Sequence, residues 1–387
     1  MCRYTPIKNI YIANHKIIKM AFALNVSDKK EKKERTEYTA NLNQKYAERV
    51  TQNKKIAFTV NGYDVFRPKP GGKKGEIVKH RVTYPCKLRV VEDPLLNLSD
   101  AERENLKTPP NLFDRLIFTA LTSAYHEGIK EISVAALYRI ITGKNNFNCK
   151  PSENHVTEIL ASVKKLACLQ VSIDATDAFT SYTHKDGTPK YNDGKPLVID
   201  FTPIIPCTIF SGIFQSDKNT EVIRLTAESP LFKVARLMNQ LLTVPRTVLD
   251  VGKTRHTANI YKVKFCTLFR VVEIPKARNL TDVITFDDLF TKCGIDNASP
   301  KIKATARDII AVILRNLQSA DVLKAFKIIR DGAEYAKIEL TYLSKSEKSP
   351  KKAQSTKKSN GSKAESVFLD FDFFIRPLRN RTNILAK

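Results

Sequence analysis

A chain of 387 residues is long enough for two or three domains, each with its own core, and its 42% hydrophobic content places it in the ordinary globular class. Its 65 Lys and Arg against 40 Asp and Glu leave a formal net charge of +25, which points to a polyanionic partner, nucleic acid before an acidic membrane surface. Seven cysteines without a Cys-x-x-Cys pair argue against a zinc site and suit free thiols in a reducing cytoplasm, and no apolar run approaches a membrane span.

Residues 1–55 read as an N-terminal arm. Asn9 to Val26 is fairly apolar but is broken by His15, Lys16 and Lys19, which speaks against a signal peptide, and Met20 is an alternative start. Ser27 to Lys55 is rich in Lys, Glu and Asn and reads as a solvated helix or a mobile arm. Residues 56–108 read as a small β-rich extension: Ile56 to Arg67 and Ile77 to Glu92 form two strands around a basic turn, Pro68 to Gly75. That turn is either a phosphate-touching loop or a solvated one. Pro109-Pro110 closes the region.

A five-part phrase then appears twice. In the first copy, within 109–220, Leu112, Phe113, Leu116, Ile117, Leu121 and Ala124 mark one helix face, stopped by Gly128. Ser133 caps a short helix ended by Gly143. Pro151 and Ser152 open a third helix with the stripe Val156, Ile159, Leu160, Val163, Leu166. Leu169-x-Val171-x-Ile173 and Leu197-x-Ile199-x-Phe201 alternate as two strands, with turn dipeptides Asp186-Gly187 and Asp193-Gly194 between them.

The second copy lies within 221–343. Thr254 precedes a helix carrying Ile260, Val263, Leu268, Val271 and Val272. Thr285 caps Phe286 to Cys293, with Asp288 at the capping-box position and Gly294 as its stop. Ser299-Pro300 opens a helix striped by Ile302, Ala306, Ile309, Ile310, Ile313 and Leu317. Ala325 to Ile328, a turn at Asp331-Gly332 and Tyr335 to Leu340 complete a hairpin. Helix, helix, helix, hairpin is the order of a winged helix-turn-helix, although plain packing domains share it. The expected fold is therefore α+β: two tandem winged helix-turn-helix domains, an N-terminal extension containing a β-hairpin, a disordered Lys/Ser-rich linker at 344–365 and a C-terminal segment at 366–387. Within that segment Val367 to Ile375 is acidic and aromatic, either a strand returning to the core or a peptide that docks on a partner protein.

The tandem copies resemble the plasmid replication initiator (Rep) proteins with two winged-helix domains. The stretches that carry the resemblance are Ile132 to Gly143, Pro151-Ser152-Glu153-Asn154, Ser229-Pro230-Leu231-Phe232, and the helix Lys301 to Arg315 with its hairpin. The resemblance covers about 111–343. It implies binding to repeated origin sites on double-stranded DNA, recruitment of host replication proteins such as a helicase or its loader, and self-association. It also implies base reading by the second module and dimerisation or backbone contact by the first.

On the second module, Lys301, Lys303, Thr305, Arg307 and Arg315 are expected to face phosphates and guanine edges, with Arg330 and Lys337 on the wing against the backbone. On the first, Ser152, Asn154, Thr157 and Lys165 are the candidates, beside Glu153 and Glu158, whose carboxylates repel phosphates. The same cations also read as a solvated basic face.

Catalysis is not expected, nor a cofactor or a metal. The six histidines hold no His-apolar-His pair for a nicking centre. Gly252-Lys253-Thr254 matches the end of a P-loop, but Thr247 stands where that motif needs glycine. A transcriptional regulator or partition factor built from the same modules is the alternative function, and a DNA-dependent ATPase a more distant one.

Overall fold

The computed structural model describes residues 7–14, 16–22, 46–68, 77–146, 148–184, 188–214, 217–252, 257–272, 281–331 and 334–343. The Asp186-Gly187 turn, most of the basic turn after Pro68, Lys253-Thr254, Gly332 and everything after Leu343 lie outside them. The chain is mixed helix and sheet. No helix among the described residues is long and apolar enough to cross a membrane.

The second copy is built as a local unit. Helix α9 (Ala258–Val272) is followed by strand β10 (Thr281–Thr285), helix α10 (Phe286–Cys293), helix α11 (Pro300–Ser319) and the hairpin β11 (Leu323–Asp331) and β12 (Glu334–Tyr342). Thr285 Oγ1 accepts from the Asp288 amide, and Gly294 takes the left-handed conformation that ends α10. Strand β10 pairs with β12, giving an antiparallel sheet in the order β10-β12-β11. Leu289, Phe290, Ile309, Ile310, Ile313, Leu317, Ile338 and Leu340 close its core.

The first copy has the same helices: α4 (Leu112–His126), α5 (Val134–Thr142) and α6 (Glu153–Cys168). Asn111 and Asp114 form a reciprocal capping box on α4, and Ser133 Oγ caps α5. Its hairpin is not the long polar wing that the two strands and their turn dipeptides suggest. Between β5 (Leu169–Asp174) and β6 (Val198–Pro203) the chain folds a short helix, Thr176–Ser181, and a 3-10 turn, Asn192–Gly194.

Pairing across the sequence is where the expected boundaries give way. The extension supplies β2 (Ile56–Pro68) and β3 (Ile77–Val90), and β3 pairs with β5, so the hairpins merge into one sheet ordered β2-β3-β5-β6. Residues 56–108 therefore belong to the first body. Near the N-terminus, β1 (Asn9–Ala13) pairs with β9 (Leu241–Pro245), and the boundary at 220 and 221 falls inside strand β8 (Asp217–Leu225). Strand β8 joins β7 (Cys207–Phe214) to β4 (Glu131–Ser133). Alternation drives these pairings: Val82, Tyr84, Cys86 and Leu88 on β3, and Val171 and Ile173 on β5, turn to one buried face.

The two copies meet through their first helices. Arg115 of α4 is buried with its guanidinium carbon 3.9 Å from the Phe269 ring centre of α9, and Phe113 packs edge-on to Tyr261. Lys264, on the same helix and fully buried, donates to the carbonyls of Thr142 (3.1 Å) and Ile141 (3.5 Å) at the end of α5. Burial lowers its pKa to about 7; Asp250 pulls it up again, and Lys144 pushes it down.

A folded-state pKa below the unfolded one means that, between about 7 and the ordinary lysine value, the unfolded chain holds a proton the folded chain lacks. Stability then rises with pH through that window, by up to about 1.4 kcal/mol per pH unit. Urea unfolding at two pH values within it should show this slope in the wild type and its loss in Lys264→Met; equal slopes in both chains refute the assignment.

Candidate nucleic-acid interface

Helix α11 forms because Ser299-Pro300 pre-sets its start and because its apolar residues recur at helical spacing. Its buried stripe comprises Ala306, Ile309, Ile310, Ile313, Leu314 and Leu317. At 100° per residue the opposite face holds Lys301, Ala304, Asp308 and Arg315, with Thr305 beside them; all five are exposed, so a carboxylate stands open near the middle of this face. Lys301 and Arg315 are separated by about 21 Å of helix, a length that a major groove accepts. Thr305 Oγ1 donates back to the Lys301 carbonyl, and Arg315 Nε to that of Ala311 at 3.3 Å.

Lys303 and Arg307, one turn apart, are only part-exposed and sit on the flank of α11 that meets the hairpin. Arg307 lies 5.7 Å from the Phe290 ring centre and 5.5 Å from that of Tyr335. On β11, Arg330 covers Tyr335 at 4.4 Å and donates to its hydroxyl at 2.6 Å. Lys337 stands 3.5 Å from Glu339 on the same strand, an exposed pair that discounts its charge only partly. The expected set thus divides: Lys301, Thr305 and Arg315 on an open face, and Lys303, Arg307 and Arg330 toward a crease between helix and hairpin.

The first module offers a different surface. The start of α6 presents Asn154, Thr157, Glu153 and Glu158; Thr157 Oγ1 donates to the Glu153 carbonyl, and Ser152 Oγ lies 2.7 Å from His155 Nδ1. Lys165 is a correction. Expected at a DNA surface, it is 2% exposed and its ammonium reaches Asp114 (3.4 Å), Thr108 Oγ1 (2.9 Å), the Pro109 carbonyl (3.2 Å) and Asn105 Oδ1 (3.3 Å). The cause is helix α3 (Asp100–Leu106) and the strap after it, which cross the back of α6. Lys164 is held there too, 2.9 Å from Glu102. Burial pushes the Lys165 ammonium below its ordinary value, and Asp114 opposes the shift.

Two groupings carry no cue in the local sequence. One is the aromatic seat of Arg307, since Phe290 and Tyr335 come from different elements. The other is the outer face of the merged sheet, where Phe201 lies 4.1 Å from Arg89 and 4.8 Å from Lys55, with Lys87 exposed beside them.

No family model and no curated protein matches the chain. Among solved structures, the crystal structure of domains 2 and 3 of RctB aligns with 74% of this chain and 94% of its own, at 13% identity and a TM-score of 0.35. A selenomethionine derivative of the same two domains aligns with 72% of this chain and 89% of its own, at 12% identity and a TM-score of 0.30. Scores this low assign no function.

Among the described residues no group of three or more His, Cys, Asp and Glu side chains could hold a metal ion. Thr247, where a P-loop needs glycine, lies in a 3-10 turn, Arg246–Leu249, directly after strand β9. Cys86, Cys168, Cys207, Cys266 and Cys293 are buried and unbridged.

Proposed function

We propose that this chain is a duplex-DNA-binding replication initiator of the plasmid type, with the second module as a winged helix that reads bases through α11. The carrying observation is the exposed Lys301, Thr305 and Arg315 on one helix face of a chain with net charge +25, with Arg330 on the hairpin held against Tyr335. The sheet order β10-β12-β11, in which the strand before the helix pair closes on the second hairpin strand, supports the winged-helix reading.

In this proposal the first module pairs with a second copy or braces the DNA backbone, because two carboxylates and no cation mark the first two turns of α6. A host helicase or its loader is the further partner. No catalytic step, cofactor or metal enters the reading.

Two measurements test it. Lys301→Ala should weaken all duplexes alike and lower the slope of log K against log salt by about 0.9 for each phosphate left unneutralised. Arg315→Ala should cost about 1–3 kcal/mol on the preferred site and relax its specificity. Unchanged affinity and slope in both would remove α11 from the interface. Initiation itself is tested by deleting the gene from a replicon that carries its flanking DNA: replication should stop. Altered promoter output with copy number intact would favour the regulator.

A further inference from the structure

We propose that Tyr335 is a positioning residue that holds Arg307 and Arg330 as a two-guanidinium clamp for one DNA phosphate at the crease between α11 and the hairpin. The inference rests on the reading of the second module as a duplex-binding winged helix. It names a residue that the open face of α11 does not reveal.

Tyr335 lies near the start of β12 and is itself seated edge-on against Phe286, 5.8 Å between ring centres. Its ring approaches two guanidinium groups, Arg330 at 4.4 Å and Arg307 at 5.5 Å, within the range where a cation is drawn to an aromatic face. Its hydroxyl accepts from an Arg330 terminal nitrogen at 2.6 Å. Phe290 is a second ring beside Arg307, at 5.7 Å.

The Arg307 Nε is buried and makes no hydrogen bond within the described residues. Two like charges sharing one ring repel each other, and an aromatic quadrupole offsets that repulsion only in part. In the proposed clamp a phosphate reached by both guanidinium groups offsets the rest of that repulsion. Guanidinium forks match the paired oxygens of a phosphate, and the rings fix the forks before the ligand arrives, so less side-chain freedom is lost on binding. If α11 lies in the major groove as proposed, the crease flanks the groove and a backbone phosphate is the anion nearest to it.

The test uses the full chain, a labelled random-sequence duplex of about 30 base pairs, and titrations at several salt concentrations, because a phosphate clamp is indifferent to sequence. Tyr335→Leu keeps apolar volume and removes the π face; it should weaken binding roughly fivefold. In the Arg307→Gln/Arg330→Gln background the same change should have no effect. The double arginine variant alone should lower the salt slope by about 0.9, the signature of one phosphate. Tyr335→Phe, which loses only the hydroxyl acceptor, should retain most of the affinity and guards against misfolding as the cause. Equal losses from Tyr335→Leu in both backgrounds, or no loss with an unchanged melting temperature, overturns the clamp. A wild-type chain that binds no duplex overturns the DNA-binding reading as well, a separate result.

Discussion

Gly143→Ala should destabilise the protein by on the order of 4 kcal/mol, measured by urea or thermal unfolding. Gly143 ends α5 at φ +79°, a left-handed conformation that costs any residue with a Cβ about 1–2 kcal/mol. A second penalty follows from where that helix stops. A Cβ there would lie 2.4 Å from the Asp250 amide nitrogen and 2.6 Å from the Leu249 carbonyl carbon, both backbone atoms that no rotamer can move aside. The connector Arg246–Leu249 is itself fastened: Arg246 donates to Asn145, Lys144 pairs with Asp250 at 2.6 Å and also donates to the Gly252 carbonyl, and Asn316 of α11 donates to the carbonyls of Val248 and Asp250. Backing away from alanine would therefore disturb both copies.

Gly294 is the internal control. It ends α10, the counterpart of α5, at φ +65°, yet a Cβ there meets nothing within 4 Å. Gly294→Ala should cost only about 1 kcal/mol. If the two substitutions cost the same, the close approach at Gly143 does not constrain the fold.

Lys165→Met should cost about 3–5 kcal/mol, because it strands a carboxylate in the interior. Asp114 is 2% exposed; it accepts from Ser162 Oγ at 2.7 Å and from the Asn111 amide at 2.8 Å, and Lys165 is the cation beside it. Removing both charges with Lys165→Met/Asp114→Asn should recover a large part of that loss, since the amide oxygen can still cap α4. The folded fraction should keep its duplex affinity and salt slope, which separates a structural lysine from a phosphate contact. A single variant as stable as the wild type would show that the buried pair is dispensable.

Sequence periodicity is a good guide wherever the signal is local. Ser133, Thr285 and Ser299-Pro300 start helices, Gly143 and Gly294 stop them, and the stripes on α6 and α11 face the core as their spacing demands, except for Ile302, which is exposed in the first turn of α11 where the core has not yet begun. Caps and stripes depend on neighbours three or four residues away, so a single chain displays them. Strand partners are not encoded that way. Nothing in Gln170 to Ile173 says that β5 will pair with β3 as well as with β6, and nothing in Ile10 or Ile12 names β9.

The site divides along the same line. Lys301, Thr305 and Arg315 are exposed because their positions oppose the α11 stripe. Lys165 is adjacent to that kind of face on α6, but α3 covers it, and its cue in the sequence is Asp114, an acid in the first turn of a helix buried from residue 114 to 124. Arg307 lies a quarter-turn off the open face, and its aromatic seats come from α10 and β12.

The pairing of β1 with β9 also sets an order of assembly. A ribosome delivers residues 9–13 early, but their strand partner, 241–245, emerges only after the whole first body has been made. Until then Ile10 and Ile12 have no completed core to enter, and closing so long a loop costs chain entropy before any contact repays it. The second module makes its sheet from residues 281–285, 323–331 and 334–342, all close in sequence, so its nucleus can form quickly once they are out. Between residue 13 and residue 241 the nascent chain thus carries β1 without its strand partner, an interval in which an unpaired strand edge is open to misassociation.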